Sequence, residues 1–257
     1  MDIATIIGYI SGFVFVVIVG IELSQVKVFL DLNSFAIVLG GGMAAALISL
    51  PFEQVMNSAR VLKHAWKHEA ESPVDLIKRM VEFAEIARRD GILALENVTD
   101  TIQDPYLVKG IQLAVDGTDP ELIEQIMNTE LERIEGRHMD GKKIFDLLTK
   151  YLPAWGMIGT LIGLIKMLSV GMEDPQALTT GMAVALITTF YGAAMANYLV
   201  GPIGDKLAIR NDEEMLLKQI ILRGVMSIQS GDNPRIVEQK LKIFLSPKLR
   251  GFGKEEG

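Results

Sequence analysis

Three threonines pose the first chemical question. Thr188 and Thr189 are adjacent in the run ALITTFYGAAMANYLVGP (185–202), which holds no acid or base, and Thr160 stands in a second apolar run, PAWGMIGTLIGLIKML (153–168). A hydroxyl surrounded by hydrocarbon has two uses. It can bond the carbonyl three or four residues back on its own helix and act as a small packing group. It can also replace part of a cation's hydration shell or hold a water chain, although it cannot bind and release a proton near neutral pH. A proton or cation path normally depends on an ionisable group, and no Asp, Glu or His lies well inside the apolar runs. If Thr160, Thr188 and Thr189 line an ion path, the titrating carboxylate must come from another chain.

The elements that position these residues follow from how the composition is distributed. The chain has 257 residues, 49% of them hydrophobic and 22% charged, so apolar and charged blocks must be segregated along it. Four apolar blocks stand out, at 3–21, 34–51, 152–170 and 177–203, each close to the roughly 20 residues that cross a bilayer as helix. The first is not expected to be a cleavable signal, because it follows Asp2 with no basic region and lacks a small-residue cleavage site. The expected fold is all-α: a polytopic membrane protein with four transmembrane helices and a helical cytoplasmic domain. The expected divisions are 1–51 (first hairpin), 52–150 (cytoplasmic), 151–203 (second hairpin) and 204–257 (carboxy-terminal helices and tail).

Basic residues set the expected orientation. Lys27 is the one Lys or Arg between the first two blocks, and 171–176 holds Glu173 and Asp174 but no Lys or Arg. By contrast Arg60, Lys63 and Lys67 follow the second block, Lys142, Lys143 and Lys150 precede the third, and Lys206 and Arg210 follow the fourth. The positive-inside rule therefore places both termini and the long 52–150 segment in the cytoplasm. Lys166, near the outer end of the third block, can snorkel to the interface.

Outside the spans the pattern is helical. Ser72-Pro73-Val74-Asp75 reads as a helix start, Leu76, Met80, Phe83 and Ala87 recur at helical spacing, and Gly91 ends the helix. A short element over 92–98 follows, then 105–115, and a helix from Asp119-Pro120 that runs toward the third span; 213–228 and 234–245 are again helical. Within the spans, Gly181, Ala185, Thr188, Gly192 and Ala196 form one stripe of small residues, and Gly156, Gly159, Thr160 and Gly163 another. Such stripes let helix backbones approach closely where lipid provides no hydrophobic drive.

Several chemistries fall away. A net charge of −7 argues against nucleic acid, and the absence of cysteine excludes disulfides, thiolate metal sites and a cysteine nucleophile. His64 and His68, one helical turn apart with Glu71 nearby, read as a solvated helix face, not a metal site. Asn97-Val98-Thr99 is a glycosylation sequon that the topology places in the cytoplasm.

The two threonine-bearing runs, with the acidic turn EDPQAL between them, resemble the paired third and fourth spans of the flagellar motor stator subunits, the MotA family and its sodium-type PomA branch. The resemblance extends to EFAEIARRDGILALE, AVDG and GDNPRIVEQKL, so it covers nearly the whole chain. It implies a non-enzymatic role without a cofactor: with a MotB/PomB-type single-span, peptidoglycan-binding partner the chain would conduct Na+ (or H+) across the bacterial inner membrane and convert the flow into torque. It further implies a pentamer around a partner dimer, a rotor switch-ring protein of the FliG type as second partner, hinge roles for Pro153 and Pro202, and rotor contact through Arg88 and Glu96 with Arg89 beside them. Threonines at 160, 188 and 189 resemble the sodium-type set. Some sodium-type relatives carry further acids after the Glu96 position, where this chain has Asn97 and Thr99. Two alternatives fit fewer of these features: an energiser of outer-membrane transport resembling ExbB or TolQ, and a non-conducting membrane scaffold that needs only the small-residue stripes.

Overall fold

A computed structural model describes residues 3–21, 24–66, 71–169 and 174–251, with backbone alone for 59, 60 and 62–66. The regular elements among the described residues are all helical. In chain order they are α1 (Ile3–Ile21), a 3-10 turn (Val26–Phe29), α2 (Leu32–Ser49), α3 (Phe52–Trp66), α4 (Pro73–Asp90), and a second 3-10 turn (Ile92–Leu95) leading into α5 (Glu96–Thr99). Next come α6 (Pro105–Val115), α7 (Pro120–Ser169), α8 (Pro175–Gln229) and α9 (Pro234–Lys242). Helices α1, α2, α7 and α8 are long and apolar enough to cross a membrane.

Helix starts share one chemical device. Helices α4, α6, α7, α8 and α9 each begin with proline, whose missing N–H would be an orphan there anyway. The residue before supplies the cap: Asp104 accepts from the Tyr106 amide at 2.9 Å, Asp119 from Glu121 at 2.9 Å, Asp174 from Gln176 at 2.9 Å, and Asn233 from Arg235 at 3.1 Å. Ser72 holds the same position before α4, but its hydroxyl makes no capping bond. Gly91, at φ 88°, then turns the chain out of α4 through a conformation that disfavours any side chain.

The chain divides into two interleaved compact units, 1–68 with 139–208 and 69–138 with 209–257. Two of the borders, 138/139 and 208/209, fall inside the unbroken helices α7 and α8.

In the first unit, spans three and four (the apolar parts of α7 and α8) meet through glycine. A Cβ on Gly163 would stand 2.6 Å from the Gly181 carbonyl oxygen and 3.0 Å from the Ala185 Cα; one on Gly192 would stand 2.7 Å from the Leu152 carbonyl oxygen. These neighbours are backbone, so the two helices touch along the stripes the sequence marks. Helix α2 joins them where Val38 packs with Leu152 and Ala196, and Trp155 and Leu152 fill the space over Gly41 and Gly42. Helix α1 has no residue buried within the chain. Its hairpin is held to α8 by two phenols: the Tyr198 hydroxyl donates to the Tyr9 carbonyl, and the Tyr191 hydroxyl donates to the Phe29 carbonyl. The Tyr191 oxygen also accepts from the Asp31 amide at 3.1 Å, while the Asp31 carboxylate caps Ser34 at 2.7 Å. Wide π-type turns, with bonds reaching five residues instead of four, occupy Val14–Ile21, Ala36–Gly40 and Met195–Val200.

The second unit has a conventional apolar core. Leu76, Ile77 and Met80 of α4 pack with Leu107 and Ile111 of α6, Ile123 and Met127 of α7, Ile220 and Ile221 of α8, and Leu241 of α9. At its edge Lys218 bonds Asp104 at 2.8 Å, so the acid that caps α6 also ties that helix to α8.

The close approach of spans three and four yields a test. Gly163→Ala pushes a carbon into backbone that cannot yield and is expected to cost about 1–3 kcal/mol, the range for overpacking. Gly40→Ala, where a Cβ meets nothing within 4 Å, is expected to be neutral or stabilising. Thermal unfolding of the detergent-purified protein measures both; equal melting temperatures for the two variants would remove the contact from the account.

Candidate functional site

The glycine contact brings Thr160 of α7 against α8. Its hydroxyl lies 3.1 Å from the Gly156 carbonyl oxygen, 3.0 Å from the Ala185 carbonyl oxygen across the helix pair, and 2.5 Å from the Thr189 hydroxyl. Thr189 lies 3.2 Å from the same Ala185 oxygen, and Thr188 lies 3.1 Å from it and 2.9 Å from the Val184 oxygen. Three hydroxyls therefore converge on one carbonyl, which has two lone pairs.

The two adjacent threonines are not equivalent. Thr188 is fully buried, wedged where a Cβ on Gly159 would come within 2.5 Å of its Cβ and Cγ2, so it packs span four onto span three. Thr189 is exposed on the outside of the pair, and Thr160 is half-buried beside it. Each hydroxyl has one proton, which a backbone carbonyl or the other threonine takes, and two lone pairs. With the protons directed inward, lone pairs of Thr160 and Thr189 remain for a cation on the exposed side. Back-bonding and cation coordination are thus compatible at 160 and 189, while Thr188 is buried in the contact between the two spans.

This oxygen set is neutral: 152–170 contains Lys166 as its one charged side chain and no acid, and 177–203 holds no Asp, Glu, Lys or Arg. Lys166 is exposed in the last turn of α7. Among the described residues no group of three His, Cys, Asp or Glu could hold a metal ion. The His64 and His68 side chains lie outside the described residues.

The two prolines sit differently. Pro153 lies inside α7 without interrupting it, and Gly192 of α8 packs close to its Cα. Pro202 is exposed in α8 two residues after the wide turns of Met195–Val200, which take up the clash between a proline ring and the preceding turn. The helix therefore continues through both prolines, and the departure from regular α geometry is concentrated before Pro202.

Arg88 and Arg89 close α4, and Glu96 opens α5; all three are exposed. Arg89 forks onto its neighbour Asp90, with Nε 3.0 Å from Oδ1 and a terminal nitrogen 2.8 Å from Oδ2. That hydrogen bond holds the Asp90 carboxyl below, and the Arg89 guanidinium above, their ordinary pKa values. Arg88 and Glu96 enter no ion pair among the described residues. Between them Leu93 is 67% exposed on the 3-10 turn, an apolar contact surface that helical periodicity could not mark because the turn is not α-helical. Thr99 spends its hydroxyl on the Glu96 carbonyl at 2.6 Å.

Comparison with known proteins places relatives along the whole chain. Residues 98–220 match the model of the MotA/TolQ/ExbB proton channel family. The chain is 39% identical over 256 residues to chemotaxis protein PomA of Vibrio alginolyticus, covering 100% of both. It is 42% identical over 251 residues to motility protein A of Borreliella burgdorferi, covering 97% of this chain and 96% of that one. The solved structure of C. jejuni MotAB superposes with a TM-score of 0.88 at 30% identity, over 96% of this chain and 97% of that chain. With all-helical architecture, four membrane-compatible helices and full-length identity at this level, the chain belongs to the MotA/PomA family of flagellar motor stator subunits.

Proposed function

We propose that this chain is the multi-pass subunit of a flagellar stator that conducts Na+ and converts the flow into torque. The observation that supports the choice of ion is the Thr160–Thr189 hydroxyl pair, with Thr189 exposed and Thr160 half-buried, whose protons have carbonyl acceptors within reach and whose lone pairs are not all used by them. Such a pair can stand in for hydration water around a cation. It cannot neutralise the charge, so a MotB/PomB-type partner helix supplies the carboxylate that loads and unloads. Five copies surround two such helices, both termini of each copy lie in the cytoplasm, and Arg88, Leu93 and Glu96 meet a rotor protein of the FliG type. The wide turns before Pro202 give span four a place to bend as the ring steps.

The threonines separate coordination from packing. Thr160→Val or Thr189→Val keeps shape and deletes the hydroxyl, and is expected to raise the sodium needed for half-maximal speed or to abolish rotation. Serine at either position is milder. At the buried Thr188 the order reverses, because valine fills the threonine volume and serine leaves a gap. Speed against external sodium at fixed membrane voltage measures this; speed independent of sodium in the unmodified protein would make the motor proton-driven.

Charge reversal tests the rotor face. Arg88→Glu or Glu96→Lys is expected to impair rotation while leaving ion flux and assembly intact, with partial recovery on reversing a charge of the rotor. Arg89→Glu is expected to be weaker, since Asp90 already engages that guanidinium. Equal swimming by all three variants would reduce the residues to a solvated surface.

Pro202→Ala restores a backbone donor and favours regular α geometry through 195–200. The expected outcome is a complex that assembles and turns poorly, read as normal protein level with reduced swim-ring diameter; full motility would remove the bend from the mechanism.

A further inference from the structure

Helix α8 carries one exposed line along span four, Met182, Leu186, Thr189, Ala193 and Asn197, in steps of three or four residues. Its two halves differ. From Thr189 toward Pro175 the line is large and apolar, with Leu186 and Met182 both more than half exposed. Toward Pro202 it becomes small and then polar. Ala193 leaves room, and Asn197 donates from Nδ2 to the Ala193 carbonyl at 2.9 Å. That bond fixes the amide and leaves Oδ1, with its two lone pairs, on the exposed side. Steps of four residues run ahead of a regular α-helix by about 40° each. The wide turns from Met195 onward take back part of that drift, so Asn197 stays near the line of Thr189, about 12 Å further along the helix. Neutral oxygens continue in the same direction. Thr149 of α7 donates to the Phe145 carbonyl at 2.8 Å, and its side chain lies 3.6 Å from the place of a Cβ on Gly201.

An oriented acceptor on the threonine side of span four, with hydrocarbon in the opposite direction, suits one step of transport. We infer that Asn197 holds the cation as it leaves the Thr160–Thr189 pair for the cytoplasm, so that the Ala193–Asn197 line is the exit. This rests on the stator reading, which puts a partner helix over the threonine pair and the Pro202 end of span four in the cytoplasm. A conducting path needs stations that bind an ion well enough to receive it and weakly enough to release it. A carboxamide oxygen replaces one water of hydration without adding charge, and so meets both conditions. Leu186 and Met182 offer a dehydrated ion no oxygen, so this line serves departure and not entry.

Sidedness tests it. In cells making the full chain with its single-span partner, rotation speed is measured at fixed membrane voltage, once against external sodium and once against internal sodium set with a sodium ionophore. Internal sodium is expected to slow the unmodified motor by refilling the exit. Asn197→Leu is expected to raise the internal sodium needed for half-inhibition about fivefold, the factor for one neutral hydrogen-bonding group, and to leave the external half-maximal concentration in place. Asn197→Asp, of the same shape with a charge added, is expected to lower it. Opposite shifts distinguish an ion ligand from a residue that only bonds its own helix, and the aspartate variant alone decides if the leucine variant does not assemble. Sodium-dependent rotation with internal half-inhibition unmoved by Asn197→Asp, or moved alike by both variants, would overturn the inference alone. Rotation of the unmodified protein indifferent to sodium on both sides would overturn the sodium reading, and the inference with it.

Discussion

Backbone-to-backbone contact between spans three and four is the constraint on which the site depends. In a bilayer, helices gain nothing by hiding apolar side chains from lipid, so association has to come from close packing and from polar bonds between helices. Gly156, Gly159 and Gly163 on one span, and Gly181 and Gly192 on the other, remove the side chains that would hold the helices apart. Only at that separation can the Thr160 hydroxyl reach the Ala185 carbonyl of the facing helix. The same approach buries Thr188 and leaves Thr189 outside, which divides a pair of identical neighbours into a packing residue and an accessible one.

Much of this was legible in the sequence, for identifiable reasons. Span one was expected over 3–21 and is found at Ile3–Ile21, because an unbroken apolar run has few competing interpretations. Span two was expected at 34–51 and is found at Leu32–Ser49; Asp31, the cap that fixes its start, is chemically ambiguous without knowledge of its bond to Ser34. The small-residue stripes were readable because glycine spacing reports on a face directly, and the stripe on span four already included Thr188 and omitted Thr189. The different fates of the two threonines were therefore partly written there.

Other features needed three dimensions. Neither the π-type turns at Met195–Val200 nor the passage of α7 through Pro153 has a local signature, since both depend on what the neighbouring helix supports. The fork between Arg89 and Asp90, adjacent residues at a helix end, escapes reasoning built on spacings of three and four. Leu93 was hidden for a related reason: it lies in a 3-10 turn, where the usual helical period fails to separate inside from outside.

The two tyrosine clamps also bear on how the protein is made. Tyr191 and Tyr198 secure the first hairpin through carbonyls of Phe29 and Tyr9, groups synthesised more than 150 residues earlier. While the ribosome works through the intervening chain, that hairpin has been delivered to the bilayer without its own fastening. A nascent chain that stops short of span four therefore lacks both clamps, and the last span made completes the fastening of the first.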